Sequence, residues 1–398
     1  YHPDDESPGL QIRRDLELAE HLDRLGFDEL WVGEHHSASF ESIPSPEIFI
    51  AAAAERTSRI RLGTGVVSLP YHHPLMVADR ISMLDHLTRG RVMFGVGPGQ
   101  LPSDAHMMGI DVGDSRRRMN EALEVIIPLL RGESVTKKTD WFELRDARCQ
   151  LGCFSHPMVE MAVASAVSPS GPRAAGKHGL GILSMAATSD QGFDVLPAHW
   201  AVCEEVAADH GQTVDRANWR LVVPMHLAET REQAYADMGH GLLKLVRYFE
   251  KLGGEDLAPI RTLDAALEQW TERGLTLLGR AIIGTPDDAV ARIRDLERQS
   301  GGFGAILLLA HDCASPARSL ASYELFARNV LPALRDENRG RVESLEWFHK
   351  HSKKIVGELK VAIGNVIEEH EAERKRRGKG VAWGDARDLL VGDDPKKG

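Results

Sequence analysis

The chain is poor in cysteine, has no long apolar run and carries no excess of positive charge, and each shortage removes a class of protein. Four cysteines in 398 residues, Cys149, Cys153, Cys203 and Cys313, are too few and too irregularly spaced for a disulfide framework or a paired zinc motif. They read as reduced thiols, with a metal contact at Cys149 and Cys153 as the alternative. No apolar stretch reaches the roughly 18 residues that a membrane span needs, and residues 1–30 hold no signal-peptide core. The expectation is therefore a soluble, cytoplasmic protein with no membrane partner. Lys and Arg number 48 against 59 Asp and Glu, a formal charge of −11, which argues against a nucleic-acid partner held through phosphates. The one basic cluster, Arg374, Lys375, Arg376 and Arg377, reads as a solvated helix end.

Hydrophobic residues make up 42% of the chain, enough for a full core, and α/β barrels often run past 250 residues as one domain. One large domain over 1–338 followed by a helical extension and tail over 339–398 is the expected division. Short β-branched strands are expected at 28–33, 60–67, 91–96, 159–164, 180–185, 219–227 and 304–309. Helical patterns lie between them, at 13–25, 46–57, 75–87, 115–131, 171–178, 195–210, 230–252 and 316–335, with a hairpin around 135–150. Alternation at this rhythm implies parallel β/α units, and in a closed barrel the reactive groups lie past the carboxyl ends of the strands. Thr230 is the expected cap of its helix with Gln233 as capping-box partner, and Thr285 with Pro286 marks another helix start. Residues 253–278 break the rhythm and read as a helical excursion near the mouth. The helix over 340–378 is either an oligomerisation arm or packs on its own barrel.

Candidate chemistry falls at the strand ends. In GFDELWVGEHH (26–36), successive side chains point to opposite sides, so only one of His35 and His36 faces the barrel mouth. A metal held by Glu34, His35, His36, His72 and His73 is a rival reading, but no HxH or HExxH spacing supports it. LGTGVV (62–67) ends a strand with Gly65, where backbone can approach a flat ligand, or simply bends. GVGPGQ (95–100) lacks the GxGxxG spacing and is not followed at once by a helix, so it is no dinucleotide fingerprint. SPSGP (168–172) precedes a helix, and the free amides of a helix start hold phosphate or are merely capped.

Taken in order, GEHH, LGTGVVSLPYHHP, LTRGRVMFGVGPG and SPSGPRAAGKHGLG resemble the bacterial luciferase-like family of flavin-dependent monooxygenases, over about residues 10–335. Within it they look most like the limonene 1,2-monooxygenase subgroup. The resemblance implies a (β/α)8 TIM barrel with insertions. Because family members begin with an apolar strand and none precedes Tyr1, the first strand is expected to be missing from one wall. It picks His35 as the catalytic histidine, with a structural histidine bonded to a loop carbonyl as the alternative. Gly65 and Val66 match a position where the family often has a non-proline cis peptide, and Gly97 lies in a flavin-facing loop. Luciferases carry a cysteine and an arginine where this chain has Gly97 and Pro98, which removes a phosphate partner. Ser168, Ser170 and Gly171 match the flavin-phosphate segment and Arg116 a second phosphate contact, whereas Arg117 and Arg118 read as surface or ion-pair residues.

The implied activity is two-component: reduced flavin, FMN or FAD, is supplied by a separate reductase from NADH or NADPH. With dioxygen it oxygenates a small apolar substrate, for example by epoxidation of a terpene such as limonene. A homo-oligomer, dimer or tetramer, is expected, and no metal. A deazaflavin-dependent barrel oxidoreductase and a non-catalytic flavin-binding protein are the alternatives.

Overall fold

The computed structural model describes residues 1–99, 101–252 and 260–380; part of the expected excursion, 253–259, and the tail from 381 lie outside the described residues. Ten strands run in chain order as β1 (Glu29–Val32), β2 (Arg61–Ser68), β3 (Val92–Gly97), β4 (Val135–Lys138), β5 (Glu143–Ala147), β6 (Glu160–Ser165), β7 (Gly181–Ser184), β8 (Trp219–Leu227), β9 (Ile282–Gly284) and β10 (Ala305–Leu309). The helices begin with α1 (Pro8–Leu25), α2 (Pro46–Ala54), α3 (Pro74–Thr88), α4 (Pro102–Met107), α5 (Ser115–Leu130), α6 (Ser170–His178) and α7 (Asp190–Asp209). They continue with α8 (Arg231–Asp237), α9 (Leu242–Lys251), α10 (Leu263–Glu268), α11 (Pro286–Ser300), α12 (Pro316–Leu325), α13 (Leu331–Arg335) and α14 (Arg339–Arg376). The chain divides into two compact units, Tyr1–Leu331 and Pro332–Gly398. In the second, α14 is a helix of 38 residues that exposes Leu345, Trp347, Phe348, Leu359, Val361 and Val366.

The first unit is a nearly closed parallel barrel with flanking helices. Hydrogen bonds join β1-β2-β3-β6-β7-β8-β10 in that order, and β9 pairs with β8. The strand β8 changes partner along its length: Arg220–Pro224 pair with β10, and Met225–Leu227 pair with β9. Pro224 lies at the changeover, where the lack of an N–H limits what a ladder can hold. Strands β3 and β8 are buried at every residue, as their near-continuous apolar sequences require of parallel strands covered on both faces.

Among the described residues no ladder joins β1 to β10, so the sheet is open there. Strand β10 is only half-buried along its whole length, and Leu18, Leu30, Ile306, Leu308 and Tyr323 line a cleft of about 180 Å³ beside it. At its upper end Tyr1 donates from its N-terminus to the Ala310 carbonyl (3.3 Å) and accepts from the Asp312 amide (3.1 Å), the bond pattern of a parallel ladder. The His2 backbone amide donates to the Phe40 carbonyl at 2.8 Å, so the first two residues join the end of β10 to the segment that follows β1.

Local chemistry follows the sequence at several ends and departs from it at others. Thr285 and Asp288 form a reciprocal capping box ahead of Pro286 in α11. Thr230 accepts from the Gln233 amide as expected, but the Gln233 side chain donates to Asp237 instead of returning to the cap. The helix expected over 230–252 is broken at Gly241, where a side chain would meet the Asp312 carbonyl. Two elements have no counterpart in the sequence reading: β9, too short at three residues to show a period, and α4, one and a half turns inside an irregular loop.

The lower interior of the barrel is ionic. The Arg220 side chain is 2% exposed and donates to Glu29 at 2.7 and 2.8 Å and to Glu160 at 2.6 Å. Burial pushes the Glu29 carboxyl up, but hydrogen bonds from Arg220 and Trp31 and the nearby Arg61 charge outweigh it and hold it below the ordinary value. Replacing Arg220 with Leu leaves Glu29 and Glu160 with only the more exposed Arg61, 3.9 and 2.8 Å away, in place of their buried cation. The expected result is a loss of about 3–5 kcal/mol in urea unfolding, the range for breaking a buried pair.

Candidate active site

Three layers of side chains stack from the ionic floor to the mouth. Above Arg220, the Trp31 indole lies where a side chain at Gly63 would stand, and the Arg220 guanidinium sits 5.2 Å from its ring centre; a side chain at Gly95 would meet the Thr64 carbonyl first and then the indole. The glycines of LGTG and FGVG are thus needed for packing as well as for approach. A side chain at Gly97 would come within 2.6 Å of Val66, so Gly97 makes room for Val66, and Gly99, at φ 77°, makes room for the Tyr71 hydroxyl. The Gly65–Val66 peptide is cis.

Above Trp31 opens a cavity of about 450 Å³, in the size range of small-molecule and cofactor sites. Gly65 and Val66 from β2, His35 from the segment after β1, and Pro98 and Gly99 after β3 line it, with Met185, Val222, Phe249, Leu278 and Leu309 as an apolar wall. The polar groups are few: Tyr1, Glu34, His35, Glu41, Ser68, Tyr248 and Thr276.

The two histidines after β1 separate as their alternation demands. The His36 ring bonds Glu34 at 2.8 Å, and Glu34 also holds His72 at 2.6 Å and the Ser68 amide at 2.7 Å. Burial pushes the Glu34 carboxyl up, and these hydrogen bonds bring it below its ordinary value, so Glu34 is an ionised brace between the ends of β1 and β2. His35 stands apart, with Nε2 3.3 Å from Glu41 and Nδ1 3.8 Å from Asp104. Among the described residues no group of three His, Cys, Asp or Glu side chains could hold a metal ion.

The phosphate candidates lie outside this wall. Ser168 and Ser170 bond each other at 2.8 Å just past β6, whose Ala164 lines the cavity. A side chain at Gly171 would meet the Ala164 carbonyl at 2.6 Å, so glycine lets the first turn of α6 lie on the strand end. No side chain caps α6, whose leading residue is Pro169. Arg116 is exposed at the start of α5 and has no hydrogen bond or ion pair among the described residues. Arg117 pairs with Asp114, Glu121 and Asp140, and Arg118 lies over Trp141, the surface roles expected of them. Asp104, Glu41, Tyr248 and Met185 carry no motif in the sequence; only the fold brings the last three to the cavity and Asp104 to the buried side of His35.

Tyr1 is positioned by its neighbour His2, which bonds Asp15 at 2.9 Å and Asp312 at 2.7 Å. Burial lowers the His2 pKa, but the two carboxylates dominate and raise it to about 9. A raised folded-state pKa means that this stabilisation is complete below the unfolded value near 6.5 and is lost as pH rises through about 9. The parent is expected to lose about 3 kcal/mol across that window that the His2→Gln variant does not lose, in urea melts taken from pH 6 to 10.

A parallel β/α barrel whose apolar cavity opens at the carboxyl ends of its strands, with a histidine at the rim, has the architecture of a barrel enzyme. The chain belongs to the luciferase-like monooxygenase family, whose description matches residues 2–302, and it is an enzyme of the monooxygenase class. It is 49% identical over 378 residues to the limonene 1,2-monooxygenase of Rhodococcus erythropolis, covering 95% of each chain. It is 48% identical over 356 residues to the 4-hydroxyprotoasukamycin monooxygenase of Streptomyces nodosus subsp. asukaensis, covering 88% of this chain and 95% of that one. Among solved structures, it resembles the oxygenating constituent of 3,6-diketocamphane monooxygenase from Pseudomonas putida, a type II Baeyer-Villiger monooxygenase in complex with FMN. That likeness has a TM-score of 0.67 at 26% identity and covers 83% of this chain and 95% of the other. Among the described residues no helix is long and apolar enough to cross a membrane.

Proposed function

We propose that the chain is the oxygenase component of a two-component flavin-dependent monooxygenase. It would take reduced FMN or FAD from a separate reductase that draws on NADH or NADPH, and use dioxygen to oxygenate a small apolar substrate, an alkene such as a terpene being the first candidate. The observation that carries this reading is the cavity of about 450 Å³ in which the Gly65–Val66 backbone and His35 meet an apolar wall of Met185, Val222, Phe249, Leu278 and Leu309. Its two relatives near 49% identity are named for different substrates, so the apolar wall, not identity, supports the substrate class.

The residues present fit a flavin. The uncapped first turn of α6 offers free amides to a phosphate, with the Ser168 and Ser170 hydroxyls beside them and Gly171 keeping the turn close to the strand end. Arg116, exposed and without a side-chain partner among the described residues, is the cation that we assign to that phosphate, with Arg173 in the first turn of α6 a second exposed one. Gly65 and Val66, with Gly97 behind Val66, offer a flat surface to a ring. When bound, the flavin supplies the activation of dioxygen and the delivery of one oxygen atom to the substrate. The apolar wall excludes water, which would otherwise divert the oxygen to free peroxide. His35, with Nε2 on the cavity side, holds or moves a proton at that atom. The exposed apolar face of α14 supports assembly into a homo-oligomer.

Anaerobic titration with photoreduced FMN and FAD, then addition of oxygen and product analysis with limonene and related alkenes, tests the reading. Saturable binding of reduced flavin and an oxygenated product are expected; failure to bind either flavin would overturn it. Arg116→Ala is expected to weaken reduced-flavin binding by about 1.5–3 kcal/mol, the range for a charge-assisted hydrogen bond. An unchanged affinity would remove Arg116 from the site.

His35→Ala is expected to keep flavin affinity and to lower product formed per reduced flavin, with faster peroxide release in stopped-flow spectra. Undiminished coupling would make His35 a structural residue.

A further inference from the structure

We infer that Asp104 is a positioning residue for His35: it accepts the proton-bearing Nδ1 of the imidazole, so that every proton His35 gives or takes passes through Nε2 on the cavity side. This rests on the reading of His35 given above.

Each nitrogen of the imidazole faces one carboxylate, and neither makes a hydrogen bond within the described residues. Its Nδ1 is fully buried and has no hydrogen-bond partner, and a buried polar atom left unpaired is costly and uncommon. The Asp104 Oδ2 faces it at 3.8 Å. Catalytic hydrogen bonds are often long before ligands bind and shorten afterwards. The carboxylate cannot drift from this place: it is 2% exposed, takes the His36 amide at 3.2 Å on Oδ2 and takes the Ser37 hydroxyl on Oδ1. Asp104 is therefore tied to the two residues that follow His35 in the chain, and the ring and its acceptor move as one unit.

The other side of the ring differs in kind. Nε2 faces Glu41 at 3.3 Å, and Glu41 lines the cavity together with His35. Glu34, the remaining carboxylate nearby, is occupied by His36, His72 and the Ser68 amide and is not available to His35. Tyr71 marks the charge of Asp104 from its far side. Its hydroxyl is buried and unpartnered, and its pKa is pushed up to about 12 by burial and then by Asp104 and Glu34. Glu41 is the nearer carboxylate, but the pair of Nδ1 and Asp104 is the one closed to water, so it is there that a proton has no other acceptor, while Nε2 and Glu41 lie at the cavity where protons exchange. An acceptor on one nitrogen of a histidine decides what the other can do.

The test uses the full chain labelled with ¹⁵N in histidine, with ring-coupled NMR spectra at alkaline pH. The His35 signals are assigned by their loss in His35→Gln. The expected parent spectrum shows His35 with the proton on Nδ1 and the lone pair on Nε2, and Asp104→Asn shifts it toward the other tautomer. A parent ring already protonated on Nε2, or no change in Asp104→Asn, overturns the inference. The parent spectrum needs no variant to fold. In turnover, Asp104→Asn is expected to lower product per reduced flavin about 10-fold, less than the roughly 10²- to 10⁴-fold of losing an acid–base group outright, with flavin affinity unchanged and Asp104→Glu partly restoring it. Loss of coupling in His35→Gln with none in Asp104→Asn also overturns it. If His35→Gln keeps full coupling, the role of His35 itself fails, while the tautomer still reports on Asp104.

Discussion

The Arg220 guanidinium inside the barrel is the contact on which the site rests. It spans from β8 to Glu29 on β1 and Glu160 on β6, so one cation ties strands on three sides of an open sheet. Burying these charges is costly in itself, and the arrangement is stable only because the partners are complete: Arg61 also reaches Glu160 at 2.8 Å, and the Trp31 indole donates to Glu29 at 2.9 Å. The last bond matters most for function. It holds Trp31 flat above the guanidinium, and that indole is the support on which the cavity stands.

From that floor upward, the geometry follows by exclusion. Trp31 takes the space at Gly63, the Thr64 carbonyl that at Gly95, Val66 that at Gly97, and Tyr71 that at Gly99. Glycines that look in the sequence like a loop poised for a ligand are first of all accommodations for large neighbours. The cavity is what these displaced side chains leave between them, and its wall is apolar because the upper strands and the Tyr248–Phe249 segment contribute aliphatic and aromatic groups. Phe40 stacks on Tyr248 at 4.2 Å between ring centres, which joins the segment after β1 to that wall. A site of this kind puts few polar atoms near its ligand, so each one present has a specific task.

Much of this was legible before the fold was known. The alternating strands and helices implied a parallel barrel, and Thr285 and Pro286 marked their helix start. Less legible were β9, which is too short to have a period, and the break at Gly241. There the cause is the approach of the Asp312 backbone, some seventy residues further along the chain.

The sequence by itself determined the class of architecture, the strand ends at which chemistry gathers, and the separation of His35 from His36, because periodicity and side-chain alternation are properties of neighbours in the chain. Only the tertiary structure decided what surrounds them. That Glu34 braces His36 and His72 and leaves His35 alone, and that Asp104 and Glu41 flank the His35 ring, depends on distances between elements far apart in sequence. So does the fact that Trp31 and Arg220 support the cavity. Residues such as Asp104 carry no local signal, since a carboxylate in an irregular loop looks the same whether it faces water or a buried imidazole.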